Sequence, residues 1–432
     1  MPVSSTSSQA NAVPLPWSGL LALSCAAFTA VMTELLPAGL LPVMAPPLGV
    51  AASRVGFLVT AYAAASFLAA VPLTAALRGL PRRPVLCGAL LGFAVSNALV
   101  ALSSSYPLTF TARLLAGAMG GTLWAMLAGC AARMVPAGRR GRAVAIVLAG
   151  ITLALSLGVP AGTALAGAVG WRAAFGTLAV LAVLLVGWIR LRLPDFPGEP
   201  AHERVPLTRV ALRPGIRPVL SVTLFLLLGH QVMYTYVAPF AGHAGYGRTG
   251  LLLAVFGTAT VAGIWVTGAL IDRHPRHTLL VALALFTGVL LVLGLAARAH
   301  GLLVGAVALW GVAFGGAPTL IQTALVDASG PAEADVATSL QTTVYNAGIA
   351  AGSLTGGVAL DALGPGALPW TALPPALLAL ATVVAGRRYA FPPRRHALAP
   401  EANVRAQPVP GAVACSARKH AARRSVADGE GQ

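Results

Sequence analysis

Charge is scarce in this chain: only 9% of its 432 residues are Asp, Glu, Lys or Arg, and 57% are hydrophobic. Ordinary soluble domains carry about 25% charged residues. A soluble fold of this length needs a polar coat that the sequence does not supply, so a water-soluble protein is excluded. Acid is scarcer than base, with 12 Asp and Glu against 29 Lys and Arg, for a formal charge of +17. Lysine occurs once, at Lys419, outside every apolar run, so lysine chemistry within a membrane is excluded. Of the four cysteines, Cys25, Cys87 and Cys130 sit in apolar runs and Cys415 in a polar stretch. There is no CxxC spacing and no His cluster beside them, so neither a disulfide framework nor a zinc site is expected. A GxxxxGK[ST] phosphate loop and a nucleophile–acid–base set are both missing, and the chain is expected to be no enzyme and to carry no cofactor or metal. Residues 1–16 have neither basic residues nor a small-residue cleavage site, so the first apolar segment is expected to be retained.

What the chain has in abundance is long apolar runs. About 20 residues of helix cross a bilayer, and cutting the sequence at charged and Pro/Gly-rich breaks gives twelve spans: 17–45, 54–77, 84–103, 106–132, 143–166, 171–190, 217–241, 249–271, 278–297, 301–326, 336–361 and 367–386. The runs are continuous and lack period-two alternation, which indicates helices rather than barrel strands. With both termini on one side, 24 of the 29 basic residues fall on that side and four (Arg54, Arg172, Arg248, Arg298) on the other; Arg113 alone lies well inside a span rather than at its end. By the positive-inside rule both termini are expected in the cytoplasm. The excess charge then records membrane orientation, and no nucleic-acid partner is needed.

The longest interior break, 191–216, is Pro-rich and charged and divides the spans six and six. The expected organisation is a disordered cytoplasmic N-terminus (1–16), a six-helix bundle (17–190), a cytoplasmic linker (191–216), a second bundle (217–386) and a disordered basic tail (387–432) lying against anionic headgroups. The loop after the second helix of each half reads PLTAALRGLPRRPVL (72–86) and GALIDRHPRHTLL (268–280); aligning Pro81-Arg82-Arg83 with Pro275-Arg276-His277 gives an offset of 194 residues. A duplicated six-helix unit is a recurrent plan of secondary transporters.

GALIDRHPRH resembles the loop signature of the major facilitator superfamily, with Gly268, Asp272 and Arg273 matching; in the first half Arg78 stands where the Asp is usual, followed by Arg82 and Arg83. Arg113 through Gly121 resembles the Arg-x-x-x-Gly-x-x-Gly element of the fourth helix. Gly158-Val159-Pro160-Ala161-Gly162 resembles the Gly-Pro-x-x-Gly element of antiporters. Glu34 to Pro42, Tyr234 to Phe240 and Trp310 to Pro318 look like the arabinose-efflux-like branch of the twelve-spanner drug:proton antiporters, which includes sugar, purine-nucleoside and chloramphenicol exporters. The resemblance implies an all-α integral membrane protein of twelve transmembrane helices, two pseudo-symmetric six-helix bundles around a central cavity. It also implies gating roles for Arg78, Arg82, Arg83, Gly158, Pro160, Gly162, Gly268, Asp272 and Arg273. The implied activity is proton-coupled efflux of a small drug-like molecule, sugar, nucleoside or secondary metabolite by a monomer in a bacterial cell membrane. A symporter or facilitator of the same fold is the alternative, and an integral-membrane enzyme or channel lacks the residues it would need.

Glu34 is the only carboxylate well inside a span, and a carboxylate in hydrocarbon is costly enough to be protonated or paired. Arg113, about 10 Å deep by helix rise, is the only basic residue there. The two are expected to interact and to carry proton coupling, Glu34 alternating between a proton and the arginine's charge. His230, Gln231 and Tyr234 share one face of the seventh span, and Gln341, Tyr345 and Asn346 lie together in the eleventh; these six are the candidate substrate contacts. Gly348, Gly352 and Gly356, four apart, are expected to be a packing stripe.

Overall fold

Away from water, a helix satisfies every backbone N–H and C=O within one segment, which is why these Ala-, Leu- and Val-rich runs fold as they do. The computed structural model describes residues 15–77, 79–198, 215–271, 273–330, 333–386 and 391, and among them no strand occurs. Arg78, Asp272, most of the expected linker and nearly all of both termini lie outside the described residues. In chain order the helices are α1 (Trp17–Met44), α2 (Ala52–Leu77), α3 (Arg82–Leu102), α4 (Tyr106–Arg133), α5 (Arg140–Val169), α6 (Trp171–Arg192), α7 (Ile216–Thr235), α8 (Val237–His243), α9 (Thr249–Leu270), α10 (Pro275–Ala296), α11 (His300–Ser329), α12 (Ala334–Leu363) and α13 (Leu368–Ala385). Span boundaries agree with the expected ones to within three residues.

Two spans are irregular, and proline explains both. In α5 a π turn, Ala154–Gly158, sends the Val159 N–H to the Ala154 carbonyl, because Pro160 has no N–H for the Ser156 carbonyl. The seventh span breaks at Tyr236 (φ −111°, ψ 24°), where Pro239 leaves the Thr235 carbonyl without its helical donor. Eleven helices among the described residues are long and apolar enough to cross a membrane. α12 is long enough but is diluted by Gln341, Thr342, Thr343 and Asn346; it is flanked by α2 and α7, so protein replaces lipid on both sides.

The packing repeats. α2 lies on α4 as α9 lies on α11, and α3 packs on α4 and α6 as α10 packs on α11 and α13. Glycine sets the closest crossings: Gly117 faces the Tyr62 carbonyl and Gly121 the Ser66 carbonyl, while Gly311 faces the Phe256 carbonyl and Gly315 the Thr260 carbonyl. Each residue of the second set follows its counterpart by the 194 residues found in the loops. Gly158 and Gly162 against α1 likewise match Gly352 and Gly356 against α7. The expected α12 stripe is therefore a packing face, with Gly348 on Leu227, Gly352 on Leu228 and Gly356 on Tyr236.

The first six spans meet the second six through α2 with α12 and α5 with α9. Tyr236 lies over Gly56, Gly357 faces Phe57, Gly39 faces Leu253, and Gly257 faces the Leu155 carbonyl of the π turn. These contacts lie at mid-span or toward the arginine-poor ends.

Candidate functional site

The polar cluster in the first half begins with a backbone defect. Pro37, inside α1, has no N–H, so the Thr33 carbonyl loses its helical donor. Arg113 supplies the replacement. Its guanidinium donates through Nη1 to the Thr33 carbonyl, through Nη2 to the Glu34 carbonyl at 2.9 Å and through Nε to the Leu58 carbonyl at 3.2 Å. It also lies over the Tyr62 ring, 4.9 Å from the centroid. Arg113 is 1% exposed, and its charge is neutralised by carbonyl dipoles and a ring face rather than by a directly bonded acid.

Glu34 is brought beside Arg113 as expected, with a difference of atoms: the arginine holds the Glu34 main chain, not the carboxylate. Glu34 Oε1 is sealed from solvent and has no hydrogen-bond partner among the described residues. Two more groups in the cluster share that state, the Tyr62 hydroxyl and Asn97 Oδ1, while Asn97 Nδ2 donates to Thr33 Oγ1 at 3.0 Å. In α12 Gln341 is buried and Tyr345 half-buried.

A second cluster is aromatic. His230 stacks on Phe314 with centroids 3.6 Å apart and planes 7° apart, and Tyr234 lies 5.3 Å away at 22°. Phe256 and Trp310 complete the group at 5.8 and 5.3 Å. Trp310 Nε1–H donates to His230 Nδ1 at 3.1 Å. The six candidate substrate contacts divide by what their polar atoms already do. Gln231 donates to Thr235 Oγ1 at 2.9 Å, and Thr235 bonds Ser353 of α12, a chain that ties α7 to α12. Asn346 donates to the Thr342 carbonyl one turn back. Among the described residues His230 Nε2 and the Tyr234 hydroxyl make no hydrogen bond.

Of the residues expected to gate, Arg82 and Arg83 open α3, whose first turn has no acid and whose own side chains provide no cap. The segment 193–198, expected to be linker, folds back onto this end. Asp195 Oδ1 accepts from the Arg83 N–H at 3.1 Å, the Phe196 carbonyl from the Arg82 N–H at 2.9 Å, and the Pro197 carbonyl from Arg133 Nη1 at 3.1 Å. Arg83 Nη1 reaches the Arg190 and Leu193 carbonyls, both at 3.4 Å. Asp195 thus gives α3 the N-terminal acceptor it lacks. Gly268 and Arg273 are exposed. Gly158 and Gly162 face Met32, Phe28 and Leu36 of α1; α5 meets α9 through Leu155 and Ser156 of the π turn that Pro160 induces, against Gly257, and through Thr163, against Gly250.

Sequence reasoning passed over Thr33, Tyr62, Asn97, Asp195, Phe256 and Trp310's role as a donor. Asn97 carried a readable signal, an amide inside an apolar run, and Thr33 another, its place four residues before a mid-helix proline.

The family model described as Major Facilitator Superfamily matches residues 23–264 and again 243–427. The purine ribonucleoside efflux pump NepI of Escherichia coli (strain K12) is 30% identical over 363 residues, covering 82% of this chain and 90% of that protein. The pump of the same name from Shigella dysenteriae serotype 1 is 29% identical over 82% of this chain and 91% of its own length. Among solved structures, a D-xylose-proton symporter superposes with a TM-score of 0.70 at 13% identity, covering 87% of this chain and 98% of its own. The human organic anion transporter MFSD10 does so with a TM-score of 0.67 at 18% identity, covering 86% and 100%.

Proposed function

Since the chain belongs to the Major Facilitator Superfamily and is a multi-pass membrane transporter rather than an enzyme, we propose that it exports a small molecule of the purine ribonucleoside class in exchange for protons. The observation that carries the coupling is the Glu34 carboxyl beside Arg113, one oxygen of which, Oε1, is sealed from solvent and has no hydrogen-bond partner among the described residues. A carboxyl without a hydrogen-bond partner in a low-dielectric surround favours holding a proton. The fixed positive charge beside it favours release once water or a polar substrate arrives. Export then follows as a cycle in which Glu34 is loaded from one side of the membrane and discharged by substrate from the other. The purine ribonucleoside class is taken from the NepI relatives. The flat aromatic faces about His230 and the free Tyr234 hydroxyl are chemistry that suits a base bearing a polar edge.

In this reading the two six-helix halves rock about Glu34, with the arginine-poor ends outside and both termini in the cytoplasm of a bacterial cell. The basic tail lies against anionic headgroups, and the monomer is the working unit. The packed contacts of Tyr236 with Gly56 and of Phe57 with Gly357 support a state sealed at the outer end.

Reconstituted transport provides the test. Purified protein in liposomes with an imposed pH gradient is expected to accumulate labelled inosine or adenosine against its gradient, with proton movement opposite to the nucleoside. Glu34→Gln abolishes the gradient-driven accumulation and leaves nucleoside binding measurable. Unchanged gradient-driven flux in that variant would overturn the role of Glu34, and proton movement in the same direction as the nucleoside would identify a symporter.

A further inference from the structure

The neighbours of His230 fix its ring plane and also its proton. Phe314 and Tyr234 hold the plane as near-parallel rings at 3.6 and 5.3 Å. The indole N–H of Trp310 is a donor only, so His230 Nδ1, 3.1 Å away, accepts, and the one proton of the neutral imidazole stands on Nε2. Nε2 has no hydrogen-bond partner among the described residues. It is also not one of the buried polar atoms sealed from solvent, unlike Glu34 Oε1 or the Tyr62 hydroxyl. A single oriented N–H donor therefore remains on a ring otherwise packed against Tyr234, Phe256, Trp310 and Phe314.

The duplication shows that the fold does not require this arrangement. The 194-residue offset pairs His230 with Leu36, Trp310 with Ala116, Phe314 with Gly120 and Phe256 with Tyr62. The first half builds the same crossing of its second and fourth spans without an imidazole, an indole or the stacked phenyl. An aromatic box with a locked donor is thus a feature of the second half alone, added to a shared scaffold.

We infer that His230 is a specificity-determining residue which donates its Nε2–H to an acceptor on the flat ring of the substrate, a ring nitrogen or an exocyclic oxygen, with Trp310 as the positioning residue that sets the tautomer. The inference rests on the nucleoside reading above and sharpens it: a ring offering an acceptor is selected over an isosteric ring offering C–H.

The test is a ratio of transport rates in the reconstituted full-length protein. The probes are adenosine with its 1-deaza, 3-deaza and 7-deaza analogues, each of which replaces one ring nitrogen by C–H, and inosine with purine riboside, which lacks the exocyclic oxygen. The wild type is expected to prefer the parent over one of these analogues by about tenfold, the cost of one unmade neutral hydrogen bond. In His230→Phe that one ratio falls toward unity while the others stay. In His230→Gln, which keeps a side-chain N–H donor, part of it returns. Trp310→Phe, which frees Nδ1 and lets the proton move, narrows the same ratio without touching the donor residue. Size-exclusion profiles in detergent show which variants fold, and the Gln and Trp310 variants carry the test should His230→Phe not. A wild type that transports nucleosides with no discrimination, or a His230→Phe variant that slows every analogue equally, overturns the inference. A wild type that moves no nucleoside at all refutes the transport reading first, a different result seen before any variant is made.

Discussion

Pro37 decides what Arg113 does. By withholding an N–H it orphans the Thr33 carbonyl at a fully buried residue, where an unmet carbonyl is costly. The nearest cation then binds main chain rather than carboxylate. Arg113→Lys keeps the charge but loses the planar fork that spans three carbonyls. It is expected to destabilise the protein by about 2–4 kcal/mol, read as a lowered thermal midpoint in detergent, whereas Glu34→Gln stays within about 1 kcal/mol of wild type. Pro37→Ala returns the helical donor to Thr33, so the double variant Pro37→Ala with Arg113→Lys is expected to lose about 1 kcal/mol less than the two single changes added together. Strict additivity would show that Arg113 and Pro37 act independently.

Between helices, a glycine's hydrogen is what lets two backbones touch. A Cβ on Gly121 would stand 2.9 Å from the Ser66 carbonyl, and one on Gly315 would overlap the Thr260 carbonyl, so Gly121→Val and Gly315→Val are expected to cost folded yield alike. Gly268→Val, at a position open to its surroundings, leaves the size-exclusion profile unchanged. Asp195→Ala removes the acceptor at the start of α3 and is expected to cost about 1 kcal/mol of stability, with Asp195→Asn closer to wild type; equal loss in both would point to the charge rather than the cap. Run lengths and proline positions made the helices and the fifth-span defect legible in sequence. The partners of those elements were not legible, because sequence shows that a backbone must be approached but not by what. Gly158 and Gly352 read differently, one as a gate element and one as a packing stripe, yet 194 residues apart they do the same thing against α1 and α7. Asp195 lies 112 positions from the N–H it meets, and Trp310 lies 80 from the imidazole it orients. Such pairings depend on tertiary register, which no local pattern encodes.

For the molecule as a whole, the meeting of α2 with α12 is where the two halves are held. Phe57→Cys combined with Gly357→Cys places two thiols at one of the closest contacts between them. Oxidative cross-linking of that pair is expected to stop transport, and reduction to restore it; full flux in the cross-linked protein would show that this end need not open. Cys25, Cys87 and Cys130 are free, and all four native cysteines, Cys415 included, require replacement beforehand.

The asymmetry between the halves also sets a limit on energetics. At the position matching Glu34 in the second half the duplicated scaffold carries Leu228, so the apolar part of the spans holds one ionisable carboxyl rather than two. With Glu34 as the carrier, one turnover moves one proton. Each 100 mV of driving force is worth about 2.3 kcal/mol per charge, which sustains a gradient of about fifty-fold for a neutral cargo. In the proposed proton-coupled cycle the ceiling lies with a single side chain: the gradient at which flux stalls is expected to rise as the first power of the proton gradient, and a second carboxyl introduced by Leu228→Glu is expected to steepen that dependence.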